Sequence, residues 1–295
     1  MISGKPAPIK IWLHAARPKT LPAALAPVFA ATALAWHDDA FLLKPAFYCL
    51  GFALLAQIAA NYINDYLDYK SGTDTADRLG PVRAVAAGWV RPSAMLLVSI
   101  LTLALAVACG ALLIPYGGSQ LWWVGAACVV FCLLYSPLSR YGMGDVFVLV
   151  FFGIVPVLFT YYVQSGQFST ASFLLGCIIG ILSTNILISN NYRDYYTDKA
   201  TGKNTSIVMF GLAFGERCYL FTGIVACLLN LWFFALLGNA WWGLLAWLFL
   251  PLHMQAWKTM RRIAKGRTLN IMLAYSSRNL LLFCLLEIIA LVWMK

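Results

Sequence analysis

Charge is what this 295-residue chain has least of: 11% of its residues are Asp, Glu, Lys or Arg, against 62% hydrophobic. So little polar surface cannot cover a water-soluble globule of this size. Glutamate occurs only at 216 and 287, and the three histidines (His14, His37, His253) are scattered without metal-ligand spacing. Only His14 falls near the acidic segments described below. The eight cysteines lie in or beside apolar stretches with no His/Cys cluster around them. That pattern reads as inert buried thiols and excludes a zinc or dithiol site built on them. Low-complexity tracts and long polar linkers are also missing, so the chain reads as one domain over 1–295. The basic residues are spread over short loops and not gathered on one polar module, which excludes nucleic-acid binding.

What remains is a series of apolar runs of about 17–25 residues, the length that crosses a bilayer core. Backbone groups in lipid must be satisfied within each segment, so the expected fold class is an all-α membrane protein. Nine spans are expected: 18–36, 46–69, 93–115, 120–138, 144–163, 170–192, 217–237, 240–257 and 271–293. Ala33-Leu34-Ala35 mimics a signal-peptide end, but Pro22 and Pro27 interrupt the stretch before it and eight further spans follow.

Lys and Arg alternate between loops. Lys5, Lys10, Arg17 and Lys19 precede the first span; Lys70, Arg78, Arg83 and Arg91 follow the second; Arg140 follows the fourth. Lys199, Lys203 and Arg217 follow the sixth, and Lys258, Arg261, Arg262, Lys265 and Arg267 follow the eighth. The loops after spans three, five and seven carry none. The positive-inside rule then puts the N-terminus, and every loop after an even-numbered span, in the cytoplasm.

Six of the eleven acidic residues stand in two blocks on those cytoplasmic loops. The first is Asn61-Tyr-Ile-Asn64-Asp65-Tyr-Leu-Asp68, with Asp74 and Asp77 beyond it; the second is Asn190-Asn191-Tyr-Arg193-Asp194-Tyr-Tyr-Thr-Asp198. Both contain Asn-x-x-x-Asp-Tyr, an echo that suggests two four-helix halves and a ninth helix. Helix-end acids are ordinarily just solvated at the membrane surface. Two Asn-accompanied blocks in register depart from that, because carboxylates at membrane depth are costly and mark function.

At about 100° per residue, Asn61, Asn64, Asp65 and Asp68 share an arc of roughly 100°, as do Asn190, Asn191, Asp194 and Asp198, with Arg193 off the stripe. Such hard oxygen donors suit magnesium, which keeps waters and takes one or two carboxylates plus phosphate oxygens. Two clusters facing each other can clamp a diphosphate through metal ions. The loops 72–83 and 199–205 carry Gly for close backbone approach and Arg and Lys for anion contacts. Gly202-Lys203 is not a P-loop, since the Gly spacing is absent.

These blocks resemble the signature of the UbiA superfamily of intramembrane prenyltransferases, two Asp-rich motifs at the cytoplasmic ends of the second and sixth of nine helices. The carrying stretches are NDYLDYKSGTD (64–74), RLGPVRAVAAG (78–88), FFGIVPVLFTYYVQSG (151–166) and NNYRDYYTDKATGKNT (190–205). Within the superfamily they are most similar to the branch that prenylates 1,4-dihydroxy-2-naphthoate, the MenA type. Gly72 stands where the wider family often has a third acid, which leaves the role of Asp74 open.

The resemblance implies a multi-pass enzyme of the bacterial inner membrane, its active site facing the cytoplasm. Polyprenyl diphosphate would bind with its head between the blocks and its tail along a groove toward lipid. Magnesium, as two ions, would be held by Asp65, Asp68, Asp194 and Asp198, with Asn64 and Asn190 or Asn191 assisting. Arg78, Arg83, Arg140, Lys199 and Lys203 would contact diphosphate or carboxylate, and Asp74 would close or orient the site. Tyr135, Tyr161 and Tyr162 are candidates for stabilising a cation-like allylic carbon. The ring would attack that carbon and then lose CO2, giving demethylmenaquinone. The residues by themselves leave the acceptor open between this naphthoate and another such as 4-hydroxybenzoate. An ion-coupled transporter is the reading of a different class, but its site would sit nearer the midplane. No general base is evident.

Overall fold

The structure is a computed structural model that describes residues 6–72 and 78–295. Among these residues every regular element is helical. Two helices form the N-terminal segment, α1 (Pro8–Ala15) and α2 (Pro22–His37), joined by a 3-10 turn, Pro18–Thr20. Then come α3 (Leu43–Lys70), α4 (Pro92–Ala111), the single turn α5 (Ile114–Gly117) and α6 (Leu121–Ser139). The next rod is α7 (Gly144–Leu149) and α8 (Val155–Ser165), fused by a π-helical turn at Val150–Ile154. It is followed by α9 (Thr170–Arg193), the short α10 (Tyr195–Ala200) and α11 (Ser206–Phe210), and α12 (Leu212–Leu236). A ten-residue 3-10 segment, Ala240–Phe249, runs into α13 (Leu250–Ile263), and α14 (Ile271–Met294) ends the chain.

The innermost helices are α2 and α9. Ala23, Ala24, Ala26, Ala30, Ala31, Ala33 and Ala35 of α2 are all buried, and small side chains let helix backbones approach where lipid gives no hydrophobic drive. Helix α14 packs on α2, bringing the two ends of the chain together. Across the molecule, the π-turn crosses α9 at Gly153, Gly176 and Gly180. A methyl group on Gly153 would stand 2.3 Å from the Gly180 Cα, so these backbones touch.

Among the described residues six helices are long and apolar enough to cross a bilayer: Leu43–Lys70, Pro92–Ala111, Gly144–Ser165, Thr170–Arg193, Leu212–Leu236 and Arg267–Met294. A seventh is counted if Pro8–Thr20 and Pro22–His37, bent by 55°, form one crossing. This is fewer than the nine expected. α6, Leu121–Ser139, is only 19 residues long, and the expected span at 240–257 begins as a 3-10 segment and ends in a helix carrying Lys258, Arg261 and Arg262.

Candidate active site

The two acidic blocks end α3 and α9, and both helices deliver their C-terminal turns to one polar cavity of about 620 Å³. Asn64 and Asp68 form one wall and Asn190, Asn191, Asp194 and Asp198 the other. Arg78, Arg83, Arg140, Lys203 and Tyr135 also line it, as does His14. The basic loops anticipated beside the blocks therefore face inward to the same space.

Along α3 the four polar residues have separate tasks. Asn61 donates from Nδ2 to the Ala16 carbonyl at 2.9 Å and to Thr20 Oγ1 at 3.3 Å, tying down the N-terminal segment. Asn64 is buried, and its Oδ1 has no hydrogen-bond partner among the described residues. Asp65, 1% exposed, accepts the backbone N–H groups of Ala84 at 3.0 Å and Val85 at 3.1 Å, one on each oxygen. Asp68 forms an ion pair with buried Arg83. Both Asp65 oxygens thus hold the 78–90 loop, and Asp65 itself is not among the residues that line the cavity.

That loop is pinned from two further sides. Asn270 Nδ2 donates to the Leu79 carbonyl at 2.9 Å, and Arg267 Nη2 to the Arg78 carbonyl at 3.4 Å. Arg193 packs so closely on Gly80 that a Cβ there would lie 2.8 Å from its Nη2.

The second block is not one continuous helix. α9 stops at Arg193, Asp194 caps it, and α10 carries Asp198 on a new short turn. Arg193, read from the sequence as lying off the stripe, grips Asp194 with Nε at 2.8 Å and Nη2 at 2.5 Å, and reaches Asn270 Oδ1 at 2.9 Å. Lys203 Nζ lies 3.4 Å from both Asp198 oxygens. Burial pushes the Asp198 carboxyl above the usual carboxylate range, and the nearby Lys203 ammonium opposes that shift.

Three of the expected tyrosines and lysines lie outside the cavity wall. Tyr161 donates to Asp38 Oδ2 at 2.6 Å and Tyr162 to the Gly117 carbonyl at 3.2 Å, both at the far end of α8 from the cavity. Lys199 extends over the Tyr195 ring, 6.0 Å from its centroid, outside the cavity wall. Asp74 lies outside the described residues. Cavity residues that sequence reasoning missed are Arg17, Lys19 and Thr20 of the N-terminal segment, Arg193, and Asp145 with Ser206. For Asp145 a signal existed: it is an acid set at the start of an apolar span, between Gly144 and a Val/Phe run.

Below the polar cavity is an apolar one of about 440 Å³, walled by Phe52, Ala56, Phe131, Phe151, Phe152 and Phe159. Gln57 and Ala60 in its rim lie one turn from Asn61 and Asn64, and Cys132 lies one turn from Tyr135. A charged compartment thus stands end to end with a greasy one.

Among the described residues no three His, Cys, Asp or Glu side chains converge to cage a metal by themselves. The donor set nonetheless fits a hard divalent ion that takes part of its shell from phosphate and water. Asn64 Oδ1 is a buried acceptor with no partner among the described residues, and carboxylates from both blocks border the same cavity.

This arrangement is that of an intramembrane prenyltransferase. The profile of the UbiA prenyltransferase family matches residues 24–283, and the chain belongs to that family. It is 35% identical over 251 residues to a 1,4-dihydroxy-2-naphthoate octaprenyltransferase of Escherichia coli, covering 81% of this chain and 80% of that one. It is 37% identical over 265 residues to the enzyme of the same name from Mycobacterium tuberculosis, covering 88% of each. Among solved structures it resembles the apo UbiA homolog of Aeropyrum pernix, with a TM-score of 0.72 at 14% identity over 92% of this chain and 98% of that one. The Archaeoglobus fulgidus homolog bound to GPP and Mg2+ superposes with a TM-score of 0.65 at 16% identity, covering 96% and 99%.

Proposed function

We propose that this chain transfers a polyprenyl group from polyprenyl diphosphate to 1,4-dihydroxy-2-naphthoate, releasing diphosphate and CO2 and yielding demethylmenaquinone after oxidation. The observation that carries the reading is the pairing of a carboxylate- and cation-lined cavity with an apolar one directly beneath it. A prenyl diphosphate has the same two parts in the same order. The naphthoate relatives support the choice of acceptor.

Bound magnesium, held by Asn64, Asp68, Asn190, Asn191, Asp194 and Asp198, would neutralise the diphosphate as it leaves. Asp65 serves this set indirectly by fixing the loop that carries Arg83 beside Asp68. Arg78, Arg140 and Lys203 supply positive charge for the diphosphate and the acceptor carboxylate. Arg83, Arg193 and Lys203 neutralise Asp68, Asp194 and Asp198 until cations arrive with the substrate. Phe131 and Phe151, stacked at 4.0 Å, line the tail compartment. Of the three tyrosines expected near the reacting carbon, Tyr135 lines the polar cavity.

In this reading one domain spans the whole chain, crosses the bacterial inner membrane nine times, and opens to the cytoplasm. The two short crossings are long enough. α6 covers about 28 Å as an α-helix. Ten 3-10 residues at ~2.0 Å, followed by seven α-helical ones at ~1.5 Å, reach roughly 30 Å.

Membranes containing the protein, supplied with labelled polyprenyl diphosphate and magnesium, are expected to prenylate 1,4-dihydroxy-2-naphthoate. Turnover of 4-hydroxybenzoate in its place would overturn the acceptor assignment. Magnesium-independent turnover would overturn the clamp.

A further inference from the structure

The wall of the polar cavity carries, outside the two acidic blocks, a carboxylate that the metal clamp does not use. Asp145 opens α7, in the stretch between the end of α6 and the π-turn. Ser206 of α11 lines the same cavity, and its hydroxyl opposes the upward push of burial on the Asp145 carboxyl. The Asp145 Oδ1 is buried and has no partner among the described residues. An acid in the first turn of a helix is favoured by the helix dipole alone. That explains a carboxylate at this position but not a buried oxygen left without a donor, which is costly. An unfilled acceptor in the wall of a substrate cavity points to a donor that arrives with the substrate.

We propose that Asp145 is the general base of the transfer, receiving the proton of an acceptor ring hydroxyl on Oδ1. The inference rests on the naphthoate reading above, whose two ring hydroxyls are the donors that Oδ1 lacks. In the step, the hydroxyl O–H bond breaks and its proton passes to Asp145. The freed electron pair drives the ring carbon bearing the carboxylate onto C1 of the prenyl chain, and the C1–O bond breaks with its pair leaving on diphosphate. The carboxylate then departs as CO2, its bonding pair restores the aromatic ring, and Asp145 returns the proton to the oxygen. Protons and electrons balance without an added oxidant, and the product is the quinol.

The surroundings suit the role. Ser206 lines the cavity beside Asp145, and Oδ1 is buried with its acceptor capacity unused among the described residues. Tyr135 on α6 and Cys218 on α12 are the titratable groups that feel the Asp145 charge, and Arg17 faces Tyr135. The basic residues Arg140 and Lys203 line the same cavity, so an acceptor whose hydroxyl meets Asp145 has cations available for its carboxylate.

The test uses full-length protein in detergent or nanodiscs, comparing wild type with Asp145→Asn, Asp145→Glu and Ser206→Ala. Asp145→Asn keeps the shape and an acceptor oxygen but cannot take a proton. It is expected to lower kcat roughly 100-fold or more, in the range of lost general-base catalysis. KM for prenyl diphosphate and the magnesium requirement should stay within twofold. The acidic limb of the wild-type pH profile should vanish, Asp145→Glu should recover part of the rate, and Ser206→Ala should lose less than Asp145→Asn. Binding of a non-hydrolysable prenyl thiodiphosphate with magnesium verifies that each variant is folded. Asp145→Asn retaining kcat within threefold, or raising only KM for the acceptor, overturns the proposal. If wild type ignores dihydroxynaphthoate, the functional reading fails instead, and the two failures are distinct.

Discussion

Replacing Asp65 with asparagine separates two roles that the sequence cannot tell apart, metal ligand and loop anchor. In the structure the carboxylate accepts two backbone N–H groups, from Ala84 at 3.0 Å and Val85 at 3.1 Å, in a site that is 1% exposed. Asparagine can keep one of these with its carbonyl oxygen, but its NH2 group would then face the second N–H. One charge-assisted bond becomes a neutral one and the other becomes a donor facing a donor. At about 1.5–3 kcal/mol for a hydrogen bond to a charged group, the expected loss is roughly 2–4 kcal/mol. For a chain of this size that corresponds to a fall in melting temperature of roughly 3–6 °C. The assay is thermal unfolding of detergent-solubilised protein without magnesium, followed by tryptophan fluorescence, since Trp89 sits in the anchored loop. Asp68→Asn is the comparison, expected to raise the magnesium requirement of catalysis more than it lowers the melting temperature. If Asp65→Asn melts like wild type and only its magnesium requirement rises, Asp65 is a ligand and the loop-anchor argument is refuted.

Asp198 gives a pH dependence with a definite sign. Its carboxyl is raised by burial above the ordinary carboxylate range. Within that window the folded protein holds more protons there than the unfolded chain, so metal-free stability falls as pH rises. Magnesium requires the ionised form, so its apparent affinity rises with pH across the same window; melts and magnesium titrations on wild type and Asp198→Asn check both slopes. Arg193→Lys keeps the charge but loses the fork that holds Asp194 and reaches Asn270. It is expected to cut prenyl transfer roughly 10- to 100-fold, measured as kcat at saturating substrates. Tyr161→Phe and Tyr162→Phe should leave kcat within twofold, because both hydroxyls bond at the opposite end of α8. Tyr161→Phe should lower stability by about 1 kcal/mol, read by chemical or thermal unfolding.

Tyr161 and Tyr162 could have been placed from the sequence. Asp145 and Tyr161 share one rod, and sixteen residues at ~1.5 Å carry the chain roughly 24 Å away from the site. The 3-10 segment at Ala240–Phe249 is different, since its composition is that of any apolar span and hydropathy does not distinguish helix types. Nor did helical geometry foresee the break at Asp194, which puts Asp198 on a turn of its own. Arg193 looked idle because a helical wheel knows only its own helix, while the partners of Arg193 include Asn270, far along the chain.

The sequence by itself determined the solvent, the all-helical class, and the two Asn/Asp blocks that had to share a site. Those follow from local quantities: run length, charge scarcity, and the angle per residue. Only the tertiary structure decided how the blocks divide their work. Asp65 and Asp68 lie on the same arc of one helix, yet a loop of backbone amides meets the first and Arg83 and the cavity meet the second. Burial and partner are properties of what packs against a residue from elsewhere in the chain. For the same reason Asp145, one acid beside an apolar run in the sequence, became a candidate base only when the fold set its unpaired oxygen in the cavity wall.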